Sequence, residues 1–421
     1  MTKWIERFPK DLQEKVAQVD QMIAPKLAEI DEIVLHNQQR VLELFRKHHV
    51  AEEDLVGSTG YGYDDIGREK LEAIFADYFK CEDALVRPQI VSGTHAISTA
   101  LFAALRTGDT LYYMTGMPYD TIQQAIGIAG DNPGSMKEFG INFDYTPLKD
   151  GKVDYQKVAE KLKNDPTIKV VAIQRSRGYA TRDSFTVAEI KEMTTFVKEI
   201  NPNAIVFIDN CYGEFTEKDE PTFYGADLMA GSMFKNAGAG VAKAGAFLVG
   251  RHDLIMQAAS RLFAPGPGKG EGATYGYQRD FYRGFFLAPH TTGEAVKGAV
   301  YTAALLEQMG AEVSPKWDTV RTDLVQTVIF HDQDAMIQFC ASIQHNSPLN
   351  AFVDPIPSEM DNYEDKIIMA SGSFVEGSTI ELSSDGPLRE PYALYIQGGL
   401  SYAHVKIAIT NAVNETYYKN K

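Results

Sequence analysis

Lys235 stands in Gly231-Ser-Met-Phe-Lys-Asn-Ala-Gly-Ala-Gly240, after an apolar stretch and before a run of small residues. Met233, Phe234 and Ala237 are poor company for a solvated ammonium. Desolvation there is expected to lower the lysine pKa and free the amine as a nucleophile. An ordinary exposed lysine on a loop would also fit such a turn. Asp209 closes the apolar run Ala204-Ile-Val-Phe-Ile208. A parallel strand would carry its carboxylate to the carboxyl edge of a sheet, where α/β proteins bind ligands; a cap or a metal ligand would also suit it. Ser92-Gly93-Thr94-His95 follows a strand-like run and opens a helical pattern. Free N–H groups and the helix dipole favour an anion at such a point, although a plain N-cap uses the same residue types. Ser232, just before Lys235, offers one more hydroxyl.

A lysine that can form an imine, an acid that can hold a proton on a pyridine nitrogen, and donors for a phosphate together meet the demands of pyridoxal phosphate. They come in the order phosphate loop, acid, lysine, each after a strand-like run. A rival reading takes Ser232-x-x-Lys235 as the nucleophile motif of penicillin-binding enzymes, with Ser384-Asp-Gly386 as its second motif. No Lys-Thr-Gly follows, which excludes it.

These residues need a scaffold that gathers strand ends. Residues 84–91, 110–114, 168–173, 204–208 and 244–249 read as strands, and 95–106, 119–129, 155–163 and 187–200 as helices. Strands separated by helices imply parallel crossovers and an α/β fold with a sheet covered on both faces. From Asp11 to His49, Val16, Val19, Ile23, Leu27, Ile30 and Val34 recur at helical spacing, and Pro25 is expected to divide that helix. Gly57–Gly67 and Ala264–Gly272 are rich in Gly and read as loops. The expected division is an N-terminal helical arm (1–50), a large domain with a mostly parallel sheet (51–294) and a smaller C-terminal α+β domain (295–421).

The 421 residues carry a net charge of −16, with the acidic excess spread along the chain. That balance argues against nucleic acid, whose phosphates need Lys and Arg. Three cysteines without CxxC spacing suggest neither a disulfide frame nor zinc, and the histidines form no clear ligand pair, so no metal is expected. No apolar run is long enough for a membrane span, and the first residues lack the pattern of a signal peptide; the cytoplasm is the expected location.

Asp209-Asn210 and Ser232-x-x-Lys235 resemble the Asp-Asn and Ser-x-Thr-Lys of the cystathionine lyase/methionine γ-lyase group of fold-type I pyridoxal-phosphate enzymes. Gly60-Tyr-Gly-Tyr-Asp-Asp65, Ser92-Gly-Thr-His-Ala96, Gln174-Arg-Ser-Arg-Gly-Tyr179, Phe286-Leu-Ala-Pro-His290 and Ser384-Asp-Gly-Pro-Leu-Arg-Glu-Pro-Tyr392 are similar to signatures of its methionine γ-lyase-like, or "aluminium resistance", branch. The likeness runs from about residue 50 to the C-terminus.

The resemblance implies a carbon–sulfur lyase that makes a thiol, ammonia and a 2-oxo acid by β- or γ-elimination. It assigns the imine and the Cα proton to Lys235, the ring nitrogen to Asp209, and the phosphate to Ser92, Gly93, Thr94 and Ser232. Tyr119, in Met117-Pro-Tyr-Asp-Thr121, matches the tyrosine that stacks on the cofactor and acts as an acid. The segment from Tyr61 through Tyr63 to Arg68 resembles one that reaches the neighbouring subunit's phosphate, which implies a homodimer or a dimer of dimers with shared sites. Arg389 would hold the substrate carboxylate, and Arg177 stands in for an asparagine near the cofactor's phenolic oxygen. Phe234 replaces the usual threonine, so one phosphate hydroxyl is missing and Thr94 is expected to compensate. Ala237 and Ala239 also depart from the pattern, which has Pro and Gly after the lysine. An aminotransferase would use Lys235 in the same way, and a non-catalytic cofactor-binding protein is the remaining alternative.

Overall fold

Alternating apolar runs and amphipathic helices build two sheets in the computed structural model, which describes residues 3–130, 133–180, 182–360 and 365–419. The helices before and between the first strands are α1 (Lys10–Lys47), α2 (Ile66–Tyr78), α3 (Gly93–Ala104), α4 (Asp120–Ile126), α5 (Tyr155–Asn164) and α6 (Val187–Ile200), followed by α7 (His252–Leu262) and α8 (Gln278–Gln308). The strands they connect are β1 (Asp83–Arg87), β2 (Thr110–Tyr113), β3 (Asn142–Tyr145), β4 (Ile168–Gln174), β5 (Ile205–Asp209), β6 (Leu228–Ser232) and β7 (Ala246–Gly250). They form one sheet in the order β1-β7-β6-β5-β4-β2-β3. Neighbours from β6 through β3 pair in parallel, whereas β7 runs antiparallel to both β6 and β1. The carboxyl ends of β2, β4, β5 and β6 therefore lie side by side at one edge.

Strand alternation feeds two cores. Val171, Ile173, Val206, Ile208, Met229, Phe247 and Val249 pack on one face, in a cluster with α2 and the start of α8. Ile205, Phe207, Leu228, Ala230 and Leu248 pack on the other, with α3 and α7. The α/β expectation holds, and each strand read from the sequence has its counterpart. The sequence reading misses β3, a partly exposed edge strand with a charged residue, and β6, whose Leu-Met-Ala-Gly-Ser has no β-branched residue. Burial between β5 and β7 makes β6 a strand despite its weak intrinsic preference.

Two compact units divide the chain, one through His36 together with Pro289 onward, the other Asn37–Ala288. This differs from the expected arm at 1–50. Leu12, Val16, Val19, Ile23 and Ile30 of α1 are buried in one cluster with α8 residues Val296, Val300 and Leu305, so the helix start belongs to a core. Nor does Pro25 divide α1, which runs through it. Proline inside a helix costs about 3 kcal/mol. Burying each of Val19, Ile23 and Ile30 returns about 1.5–3 kcal/mol, and Pro25 itself is exposed, so burial wins. The same unit holds β8 (Glu312–Ser314), β9 (Val325–Ile329), α9 (Gln333–His345), β10 (Ile367–Ser371), β11 (Ser383–Pro387), β12 (Ala393–Gln397) and α10 (Tyr402–Tyr417). Its sheet is antiparallel, in the order β10-β11-β12-β9-β8. Among the described residues no helix is long and apolar enough to cross a membrane.

The two Gly-rich stretches of the first sheet's unit are locked to each other. Arg68 is fully buried, and its guanidinium donates to the carbonyls of Gly62, Gly270 (3.1 Å) and Gly272 (2.9 Å). Arg87, paired with Glu72 at 2.6 Å, donates to the carbonyls of Lys269 and Glu271. Asp65 caps α2 and also accepts from Ser58 and Thr274 (2.8 Å). These bonds replace water for a string of buried carbonyls, which is why the loops hold one shape. Arg68→Ala should lower unfolding stability by about 3 kcal/mol, because charged donors are lost and acceptors stay buried. A denaturant titration checks this, and Arg68→Lys should recover only part of the loss.

Candidate active site

Asp209 is the last residue of β5, and its carbonyl accepts the Arg175 N–H (3.1 Å) from the end of β4. Its buried carboxylate accepts the Cys211 N–H at 3.1 Å. Burial pushes its pKa up, against the Cys211 donor and the charges of Lys235 and Arg182.

Lys235 lies in the turn after β6, its Nζ 4.0 Å from the centre of the Tyr212 ring. Tyr212 adopts φ +76°, a region costly for a residue with a side chain; here the strain accompanies a ring turned onto the lysine. Asn236 fastens the turn by donating to the carbonyls of Tyr212 (3.0 Å) and Glu214 (2.9 Å). The expected drop in the Lys235 pKa is not what the structure gives. Burial does favour the neutral amine, but Tyr212, Cys211 and Asp209 outweigh it and hold the lysine above its ordinary range. Its apolar flanks suggested desolvation alone; Tyr212, Cys211 and Asp209 reach it from the adjacent strand end.

Ser92 caps α3, its Oγ accepting the His95 N–H at 3.1 Å. The lack of a side chain at Gly93 matters: a Cβ there would stand 3.0 Å from Cys211 Sγ and 3.9 Å from the Ser232 Cβ. The α3 N-terminus, Cys211 and Ser232 thus converge. Ser232 is buried and its Oγ has no hydrogen-bond partner among the described residues. A helix N-terminus next to an unpartnered hydroxyl is suited to a phosphate. Thr94 Oγ1 lies 3.2 Å from Thr121 Oγ1, linking the start of α3 to that of α4.

Tyr119 sits at the start of α4, its N–H donating to Gln174 Oε1 (2.7 Å) at the end of β4. Gln174 in turn donates to the Ser176 carbonyl at 2.9 Å. Gly178, at φ +56°, lets the Tyr119 ring approach its backbone, and Tyr179 meets that ring edge-on at 6.0 Å between centroids. Position and ring orientation are therefore both fixed.

Other expected residues take different places. Arg68 is held by its own chain's carbonyls, as described, so it is a clamp and not an arm that extends to another subunit. Tyr63 is exposed and stacks on Tyr61 at 5.4 Å. Arg177 is buried after β4, with its guanidinium on Asp183 (3.2 Å) and its N–H on Ser184 Oγ (3.0 Å). Arg389, in the other unit, pairs with Asp365 at 3.0 Å and is more than half exposed. Sequence reasoning missed Cys211, Tyr212, Glu214 and the support role of Gln174. The first three follow Asp209 within Asp209-Asn-Cys-Tyr-Gly-Glu214, and closeness to that acid was the one available signal.

Comparison with known proteins extends the likeness over almost the whole chain. The Bacillus subtilis protein YnbB is 53% identical over 410 residues, 97% of each chain. The structure of a candidate cystathionine beta-lyase involved in aluminum resistance from Listeria innocua is 52% identical, covers 96% of this chain and 99% of its own, and superposes with a TM-score of 0.94. A Clostridium novyi structure described as a carbon-sulfur lyase involved in aluminum resistance is 44% identical over 96% of both chains, with a TM-score of 0.93. The architecture is that of fold-type I pyridoxal-phosphate enzymes. With the methionine gamma-lyase family model matching residues 12–417, the chain belongs to that family.

Proposed function

We propose that this chain is a pyridoxal-phosphate-dependent carbon–sulfur lyase that releases a thiol, ammonia and a 2-oxo acid from a sulfur-containing amino acid. The observation that carries this reading is the convergence at one sheet edge of Lys235, the buried Asp209 and an anion cradle with an unpartnered hydroxyl. The residues fit the cofactor: Ser92, Gly93, Thr94 and Ser232 would hold its phosphate, Lys235 its aldehyde carbon, and Asp209 its ring nitrogen. When bound, it supplies an electron sink for charge left on Cα after a proton departs.

The rest is work for this chain's own side chains. Asp209 keeps the ring nitrogen protonated, and its dry surroundings strengthen that pairing. Lys235, as a free amine, would take the Cα proton at Nζ. Tyr119 would stack on the cofactor's ring when it is bound and pass its phenolic proton to the departing sulfur, so that the C–S bond breaks to give a neutral thiol. The unsaturated amino acid left behind hydrolyses to the 2-oxo acid and ammonia. Arg389 is assigned to the substrate carboxylate on the resemblance, its guanidinium resting on the surface carboxylate of Asp365 in this structure. Arg177 steadies the turn that Tyr119 packs on. The exposed Tyr61–Tyr63 stack is the surface we assign to contact with a second subunit, aromatic tips being common in such contacts.

A screen of cystathionine, cysteine, homocysteine and methionine tests the activity. At least one should yield stoichiometric thiol and 2-oxo acid, whereas amine transfer to an added 2-oxo acid without thiol release would contradict the reading. Tyr119→Phe should keep cofactor affinity, because the ring face remains, and slow turnover by roughly 10²–10⁴. A Phe variant as fast as the parent would move the acid elsewhere.

A further inference from the structure

Glu214 is fully buried, and neither carboxylate oxygen has a hydrogen-bond partner from another residue among the described residues. Its Oε1 lies so close to Gly231 that a Cβ there would stand 2.3 Å away, with Phe247 Cζ equally near. The carboxyl therefore abuts β6 on its aromatic side, while Ser232 points to the cradle on the other. The other acids nearby have donors. Asp209 takes the Cys211 N–H, and Glu220 takes the Phe215 N–H (2.9 Å) and the Asn210 amide (3.3 Å), with Arg175 at 3.9 Å. Arg175 is further drawn to Glu217 at 2.8 Å, and Arg40 also favours the charge of Glu220. With only its own backbone N–H to favour the charge, an ionised carboxylate set against Phe247 is strongly disfavoured. Burial raises Glu220 as well, to about 7, and Glu214 further, to about 8, so of these two glutamates Glu214 is the later to give up its proton.

That matters for Lys235, which interacts with Glu214 through space and shares its turn through Asn236. A charged Glu214 would hold the proton on the lysine more tightly. We propose that Glu214 is a positioning residue for Lys235, standing behind it as an uncharged acid so that the amine can give up its proton. This rests on the reading of Lys235 as the imine-forming residue. The groups that face Glu214 are Glu220, Lys235, Arg175 and Cys211, while Gly231 and Phe247 bring no charge. Burial first, and then Glu220, raise its pKa to about 8. A carboxyl raised in the folded state contributes stability below its unfolded pKa and loses it as pH rises through about 8.

The test uses cofactor-free protein. Lys235 is methylated by formaldehyde and cyanoborohydride across a pH series, and mass spectrometry compares it with the exposed Lys243. Parent and Glu214→Gln should match well below pH 8, and above it Lys235 of the variant should react several-fold faster. The parent's unfolding midpoint should fall as pH rises from the ordinary carboxyl range to about 8 and level off above it, and the variant's should fall less. Coincident profiles at every pH, or a faster variant already at neutral pH, would overturn the proposal. Glu214→Met, also uncharged, serves if the Gln variant does not fold. Failure of the cofactor reading is distinct: the protein would never take up pyridoxal phosphate, whatever the methylation profile.

Discussion

Removing charge from water at the carboxyl ends of β5 and β6 is the constraint on which the rest of the structure depends. Asp209, Lys235 and Glu214 are ionisable groups in a place that penalises charge, and each is handled differently. Asp209 has a backbone donor and a lysine nearby. Lys235 has the face of Tyr212 and the Asp209 carboxylate. Glu214 has no donor from another residue, and burial holds its proton in place. Small residues make room for this arrangement. Gly231 admits Glu214 and Phe247, and Gly93 admits Cys211, so two strands and a helix start close on one point.

Around that point, backbone carbonyls are held by arginines. Arg68 and Arg87 hold the Gly62 and 269–272 carbonyls, and Arg182 donates to the carbonyls of Gln174 and Ser176. A guanidinium offers several donors in a fixed plane, so one buried side chain satisfies several acceptors at once. Strained residues such as Tyr212 persist only where the surroundings over-determine them, and Asn236 supplies part of that hold.

The legible part of the molecule was the part with local pattern. Apolar runs marked five strands of the larger sheet, and hydroxyl, acid and lysine could be ordered along the chain because each follows a strand. β6 was illegible because burial between neighbours, not propensity, makes it a strand. Pro25 misled because a local helix breaker is overridden by apolar residues buried on both sides of it. Arg68 misled for another reason. Its spacing from the tyrosines resembles that of an arm, but the carbonyls it binds lie some two hundred residues away in sequence. The Lys235 environment was half legible: its apolar flanks are visible in sequence, while Tyr212 and Cys211 reach it from another strand end.

The central claim is that Lys235 is the residue that bonds the cofactor. Its most direct test is to load the protein with pyridoxal phosphate, reduce with borohydride, digest and locate the adduct by mass spectrometry. The account predicts the reduced pyridoxyl mass on the peptide containing Lys235 and none in Lys235→Ala. A stable adduct on Lys243 or Lys269, or none on any lysine after the visible absorbance of the imine has been sought, would contradict it.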